Sequence, residues 1–103
     1  MTTDYQPTTY AEFGAVLAEM IRGLRADRPD LFWGNGKILI SRLHAEVTDM
    51  SLADFKAHLL ECNRKGYSIR LTRCDMVSLF PATEIAASET RDGFGGEFHF
   101  VSL

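Results

Sequence analysis

The chain has 103 residues, of which 46% are hydrophobic, 24% charged and 11% aromatic, and its net charge is −3. These values fit one globular domain with one core, and they argue against a disordered chain, a collagen-like repeat or a disulfide scaffold. No apolar stretch approaches the roughly 18 to 20 residues that span a bilayer, and Met1 to Pro7 lacks the basic and apolar regions of a secretory signal, so a cytoplasmic protein away from membranes is expected.

Residues 1–8 read as an N-terminal tail and residues 9–103 as a single domain. Thr9-Tyr10-Ala11-Glu12 has the form of a capping box, which opens a first helix. Phe13, Val16, Leu17, Met20, Ile21 and Leu24 then recur at helical spacing and should face a core, with Glu19, Arg22 and Arg25 in water and Pro29 as the stop. Leu31-Phe32-Trp33 either closes the core between the first helix and the strand or presents Trp33 as an aromatic anchor for a partner, with core closure the expected use; a glycine turn at Gly34-Asn35-Gly36 follows, and Lys37 to Ile40 is a short buried strand. Ser41 is placed to cap a brief second helix with Leu43 and Val47 inward, ending near Thr48-Asp49.

Ser51-Leu52-Ala53-Asp54 opens a third helix, residues 51–65, which should stop at Gly66; the second and third helices are separated by a tight turn, a helix-turn-helix spacing. Tyr67, Ile69 and Leu71 alternate with polar residues as a strand, and Thr72-Arg73-Cys74-Asp75 can cap one helical turn through Val77 or Leu79. Ala86 to Thr90 and Glu97 to Val101, joined by the glycine-rich turn Arg91 to Gly96, read as a C-terminal β-hairpin. The expected class is therefore α+β: a three-helix core, a short strand and a hairpin.

This order of elements resembles the winged-helix variant of the helix-turn-helix fold over roughly residues 9 to 102. Met50 to Lys56, Leu71 to Val77, Ala87-Ser88-Glu89 and Phe98-His99-Phe100 are similar to a pattern of small bacterial winged-helix-like domains. The resemblance implies a fold and no activity. It departs from a minimal winged helix in the longer stretch before the hairpin, where residues 72–85 should form an extra turn or short helix.

The total charge conceals a division along the chain. Residues 37–73 hold seven cations against four acids, a net +3, whereas residues 74–103 hold Arg91 against five acids, a net −4. Any polyanion site must therefore lie in the middle, and its phosphate contacts would be Lys56, Arg64, Lys65, Arg70 and Arg73. At 100° per residue the core face of the third helix is Leu52, Phe55, Leu59 and Cys62. The opposite face offers Ala53, Asp54, Ala57, His58, Glu61, Arg64 and Lys65, with Leu60 at its boundary. Asp54 and Ala57 stand where a major-groove reader presents Arg, Lys, Asn or Gln.

A protein contact through Ala53, Ala57 and Leu60, joined by Phe94 at the glycine-flanked hairpin tip, is the competing use of that face. The expected function is accordingly a non-enzymatic binding module that mediates protein–protein interaction. Duplex DNA binding through the helix 51–65 and the hairpin is the alternative, and a small-molecule sensor or enzyme is the second alternative. A homodimer paired through the hairpin edge is compatible with any of these.

Catalytic and metal chemistry find little to rest on. His58 and Cys62 are four apart on one helix, but His44, Cys74 and His99 complete no metal-ligand spacing, and no cofactor is expected. Neither a nucleophile elbow nor a P-loop is present. Cys62 and Cys74 should both be reduced thiols, Cys62 within the core; His58 belongs on the surface, and His99 should be exposed or cap a neighbour.

Overall fold

The computed structural model describes residues 9–34, 36–47 and 49–103; the expected tail at 1–8, Asn35 of the glycine turn and Thr48 at the expected end of the second helix lie outside the described residues. The order is α1 (Tyr10–Asp27), β1 (Phe32–Trp33), β2 (Lys37–Leu39), α2 (Ile40–His44), α3 (Leu52–Lys65), β3 (Arg70–Thr72), a 3-10 turn (Val77–Leu79), α4 (Ala82–Ser88), β4 (Thr90–Arg91), β5 (Glu97–Phe98) and β6 (Phe100–Ser102). The result is a mixed α+β fold with an antiparallel sheet in the order β1-β2-β6-β3 and a separate β4–β5 hairpin.

Local chemistry sets the ends of the long helices. The Thr9 hydroxyl accepts from the Glu12 N–H at 3.1 Å and the Ser51 hydroxyl from the Asp54 N–H at 3.1 Å, each satisfying a donor that the helix itself leaves open. Gly66 ends α3 in the left-handed region at φ 74°, which a side chain would strain. Phe55, Leu59 and Cys62 of α3 are buried against Phe13, Leu17, Ala18 and Ile21 of α1 and against Ile38, Ile40, Leu43, Ile69, Leu71 and Val101. Burial of such side chains, at roughly 1.5–3 kcal/mol each, is the main force holding the helices on the sheet.

Several expectations need correction. Val16 lies outside the buried stripe of α1 and is half exposed. The stripe is instead centred on Gly14 and Ala18, because α1 approaches the Tyr67 backbone so closely that a Cβ on Gly14 would overlap the Tyr67 carbonyl oxygen. Lys37 to Ile40 is not all strand: Ile40 already begins α2, and Phe32–Trp33 forms an additional strand against β2. The helix α2 stops at His44, so residues 45–51 make a longer connection to α3 than a tight turn.

Ser41 does not cap α2. It lies inside the helix, and its N–H donates to the Ser88 hydroxyl at 2.9 Å, a cap supplied from 47 residues away. Ser88 is free to do this because a helix runs over residues 82–88: the short helix expected before the hairpin continues through Ala86 to Ser88, which are not the start of the hairpin's first strand. Three alanines, at positions 82, 86 and 87, favour helix after Pro81. Glu84 fixes that helix to α2 by receiving both the Nε and Nη2 of Arg42, at 2.6 and 3.2 Å.

The hairpin is accordingly short, Thr90–Arg91 with Glu97–Phe98, and Phe100–Ser102 leaves it to run between β2 and β3. His99 marks the break. It is 3% exposed, correcting the expectation of an exposed ring, while the capping role is present: Nδ1 accepts from the Cys74 N–H at 3.2 Å. Because His99 interrupts the alternation, Phe98 packs on the helical core and Phe100 joins Leu39 and Cys74 in a second cluster.

Candidate protein-contact site

With Phe55, Leu59 and Cys62 committed to the core, the helical period sends Ala53, Ala57 and Arg64 into water and leaves Leu60 half-buried at the margin. The β4–β5 hairpin supplies the facing wall. Its loop is shaped by Asp92, whose Oδ1 accepts from the Phe94 N–H at 2.7 Å and the Gly96 N–H at 2.9 Å, while Gly93 and Gly95 adopt φ of 84° and 93°. These bonds fix the backbone under Phe94, whose side chain is 89% exposed.

Helix and hairpin enclose a cleft of about 260 Å³. Ala57, Leu60 and Arg64 line it from α3, Asp92 and Phe94 from the loop, and Glu61 and Asn63 complete it. Thus Ala57, Leu60 and Phe94, three of the four expected protein-contact residues, meet at one place. Ala53 is exposed one turn earlier on α3 and does not line the cleft. Asn63 is already engaged, since its Oδ1 accepts from the Leu71 N–H at 3.0 Å and so covers part of the outer edge of β3.

The five candidate phosphate contacts are differently disposed. Arg64 donates to both carboxylate oxygens of Glu61, at 3.3 and 2.7 Å, and Lys65 lies 3.9 Å from the same carboxylate. Lys56 turns away to donate to the Glu89 carbonyl at 2.7 Å; burial lowers its pKa, with the Glu89 charge acting in the opposite direction. Arg73 is 3.8 Å from Asp75. Arg70 is exposed on β3, opposite Ser102 of β6. Arg91, the one cation of the hairpin, is held by Glu89, and that hydrogen bond raises its pKa.

The remaining reactive types are absorbed into structure. Burial pushes the Cys62 thiol up to about 11, and its S–H donates to the Tyr10 carbonyl at 3.2 Å. Cys74 is a buried free thiol as well. His58 is only half-exposed, its ring 5.1 Å from Tyr10 and 5.0 Å from Phe13, with Nδ1 2.8 Å from the Asp54 carbonyl oxygen. Trp33 keeps one face in water and stacks the other on Phe100 at 5.9 Å. Among the described residues no group of three or more His, Cys, Asp or Glu is arranged to hold a metal, and no helix is long and apolar enough to cross a membrane.

Sequence reasoning did not find Met76, Val77 and Leu79, exposed around the 3-10 turn. The apolar run Met76-Val77-Ser78-Leu79-Phe80 was the signal available, but a single helical turn through Val77 or Leu79 does not say which way its side chains face. The chain matches no family model, no curated protein and no solved structure.

Proposed function

We propose that this chain is a non-enzymatic, winged-helix-like module that binds another protein through the cleft between α3 and the β4–β5 hairpin. Support for the winged-helix reading comes from the order α1, β2, α2, α3, β3, β6 and from the strand order β2-β6-β3, in which the last strand runs between the two earlier ones. In that reading residues 73–98 are an enlarged wing. The two free cysteines fit a cytoplasmic protein.

The observation that carries the protein-binding reading is Phe94: a large aromatic ring, 89% exposed, on a loop braced by two hydrogen bonds to Asp92. Exposing such a ring gains nothing for folding, and a rigid aromatic beside a small-residue helix face is a typical binding anchor. Charge supports the same choice over duplex DNA. Glu61 and Asp92 line the cleft, Arg64 is spent on Glu61, and Lys56 is drawn to Glu89. A phosphate backbone would meet carboxylates where it needs cations.

The test is a p-benzoylphenylalanine photocrosslinker incorporated in cells at position 94 and, as a control, at position 16. A discrete adduct from position 94 that disappears with Leu60→Asp is the expected result. In parallel, labelled random duplex DNA is titrated at low salt. Binding there that weakens with salt and vanishes on charge reversal of Lys56, Arg64, Arg70 and Arg73 would replace this reading with the nucleic-acid one.

A further inference from the structure

We propose that His99 is a proton-sensitive latch at the root of the β4–β5 hairpin: its neutral ring locks the hairpin onto the sheet, and a proton taken up by that ring releases it. His99 is 3% exposed and stands between β5 and β6. Its main chain ties two elements to that point, the N–H donating to the Thr72 carbonyl at 2.8 Å and the carbonyl accepting from the Ile40 N–H at 3.0 Å. Its ring reaches two further residues, with Nδ1 accepting from the Cys74 N–H at 3.2 Å and Nε2 lying 3.5 Å from a Glu97 carboxylate oxygen.

The partner of Nδ1 fixes the state of the ring. A backbone N–H can only donate, so Nδ1 offers its lone pair and the ring hydrogen sits on Nε2, toward Glu97. A second proton can enter only at Nδ1. It would set two N–H groups against each other across 3.2 Å, and a buried donor left without an acceptor is costly. The other two histidines are built the opposite way. His44 Nε2 lies 2.8 Å from the Met50 carbonyl oxygen and His58 Nδ1 2.8 Å from the Asp54 carbonyl oxygen, so each ring donates and keeps its bond when it is charged. Of the three histidines, His99 is the one whose ring bond a proton breaks.

The groups around the ring complete the device. From β5, the Glu97 carboxylate attracts a proton to the ring; from β4, Arg91 lies 3.8 Å from the other oxygen of that carboxylate and also holds Glu89, which tempers the attraction. In the segment after β3, Arg73 and Asp75 flank Cys74 and lie 3.8 Å from each other, and the Cys74 thiol is buried and free. The helix α2 meets His99 through the Ile40 N–H. Glu97 thus invites the proton that the Cys74 N–H makes disruptive, and imidazole ordinarily charges between about pH 5 and 8. The joint also carries a polar atom without a partner among the described residues, the buried hydroxyl of Thr72, whose carbonyl holds the His99 N–H. A joint with such an orphan loses less on opening than a fully satisfied one. Release loosens the hairpin that carries Phe94 and so opens the α3–hairpin cleft; its meaning for binding rests on the protein-contact reading, whereas the latch itself does not.

The experiment is nitrogen NMR of the His99 ring together with amide hydrogen exchange on the full chain, between about pH 7.5 and 5.5, above the ordinary carboxylate range. Expected are a bare Nδ1 and a protonated Nε2 at the upper pH. On acidification Nδ1 should gain its proton as the protection of the Cys74 and Asp92 amides falls by about tenfold or more, while Leu59 and Cys62 of α3 keep theirs. His99→Asn presents an amide oxygen near the place of Nδ1 and takes up no proton in this range, so it should hold Cys74 equally at both ends. A hydrogen on Nδ1 at neutral pH, a ring that stays neutral to the lower limit, a ring that charges with no loss of protection, or the same pH dependence in His99→Asn would each overturn the proposal. So would loss of protection in α3 at the same pH, which would make the event general acid unfolding. Titration of the unsubstituted chain decides the matter even where the variant fails to fold. Every readout is taken on the free chain, so failure of the latch leaves the cleft reading standing, and an absent crosslink at position 94 leaves the latch standing.

Discussion

The helical scaffold and the insertion between β3 and β6 treat apolar residues in opposite ways. In the scaffold, Ile21, Ile38, Leu43, Phe55 and Leu59 are wholly buried, and the exposed faces of α1 and α3 are mostly polar or small. In residues 73–98, Met76, Val77, Leu79 and Phe94 face water while the backbone beneath them is held by α2, by Phe100 and by Asp92. The scaffold spends its hydrophobicity on stability, whereas the insertion borrows stability from the scaffold and keeps its hydrophobicity outside. That division is what a presented binding surface requires.

The sharpest way to break the comparison is to truncate one side chain from each region. Phe55→Ala should cost about 3–5 kcal/mol in urea denaturation, the price of a cavity where α1, α2 and α3 meet, whereas Leu79→Ala should stay within about 0.5 kcal/mol. A comparable loss at Leu79 would mean that the 3-10 turn is packed against the scaffold.

The glycines give a second contrast, inside a single helix. Gly14→Ala places a methyl group against the Tyr67 carbonyl and should destabilise by about 1–3 kcal/mol despite the better helix propensity of alanine. Gly23 has nothing within 4 Å of an added Cβ, so Gly23→Ala should stabilise by about 0.5–1 kcal/mol. Thermal melts of the two variants, which differ by the same chemical change nine residues apart in α1, should move in opposite directions.

Smaller effects are expected where insertion and scaffold are joined. The Arg42 hydrogen bonds hold the Glu84 carboxyl below the usual carboxylate range. Since the folded pKa is the lower one, the stabilisation is complete above the unfolded value of about 4.3 and is lost as pH falls through the folded value. Glu84→Gln should cost about 1 kcal/mol at neutral pH and remove this contribution to the acid limb of the stability profile. A further signal, confined to alkaline pH, concerns Cys62, whose thiol is pushed up to about 11. Stability should decline as pH rises from about 8.5, where the unfolded thiol ionises, toward that value. A thiol reagent at pH 8 should label Cys62 only as fast as the protein opens.

Much of the scaffold could be read from residue order. The caps Thr9 and Ser51, the stop at Gly66, the core face Phe55, Leu59 and Cys62, and the alternation at Ile69 and Leu71 depend on bonds and periods within a few residues, and all stand where they were expected. The meeting of Ala57 and Leu60 with Phe94 was legible in its members, because one helix face and one glycine-flanked aromatic were both without an inward role.

Contacts between distant parts of the chain decided everything else. Ser88 caps α2 across 47 residues, so Ala86 to Ser88 are held in the helix where local pattern suggested strand. The tight approach of Tyr67 turns α1 and puts Val16 outside, and His99, bonded to Cys74, divides a continuous strand pattern into β5 and β6. By itself the sequence determined where the long helices α1 and α3 begin and the core face of α3, since propensity, capping and periodicity act over one or two turns. Only the tertiary structure decided which apolar residues remain outside, because exposure is a property of what packs against a surface and no local rule contains the partner.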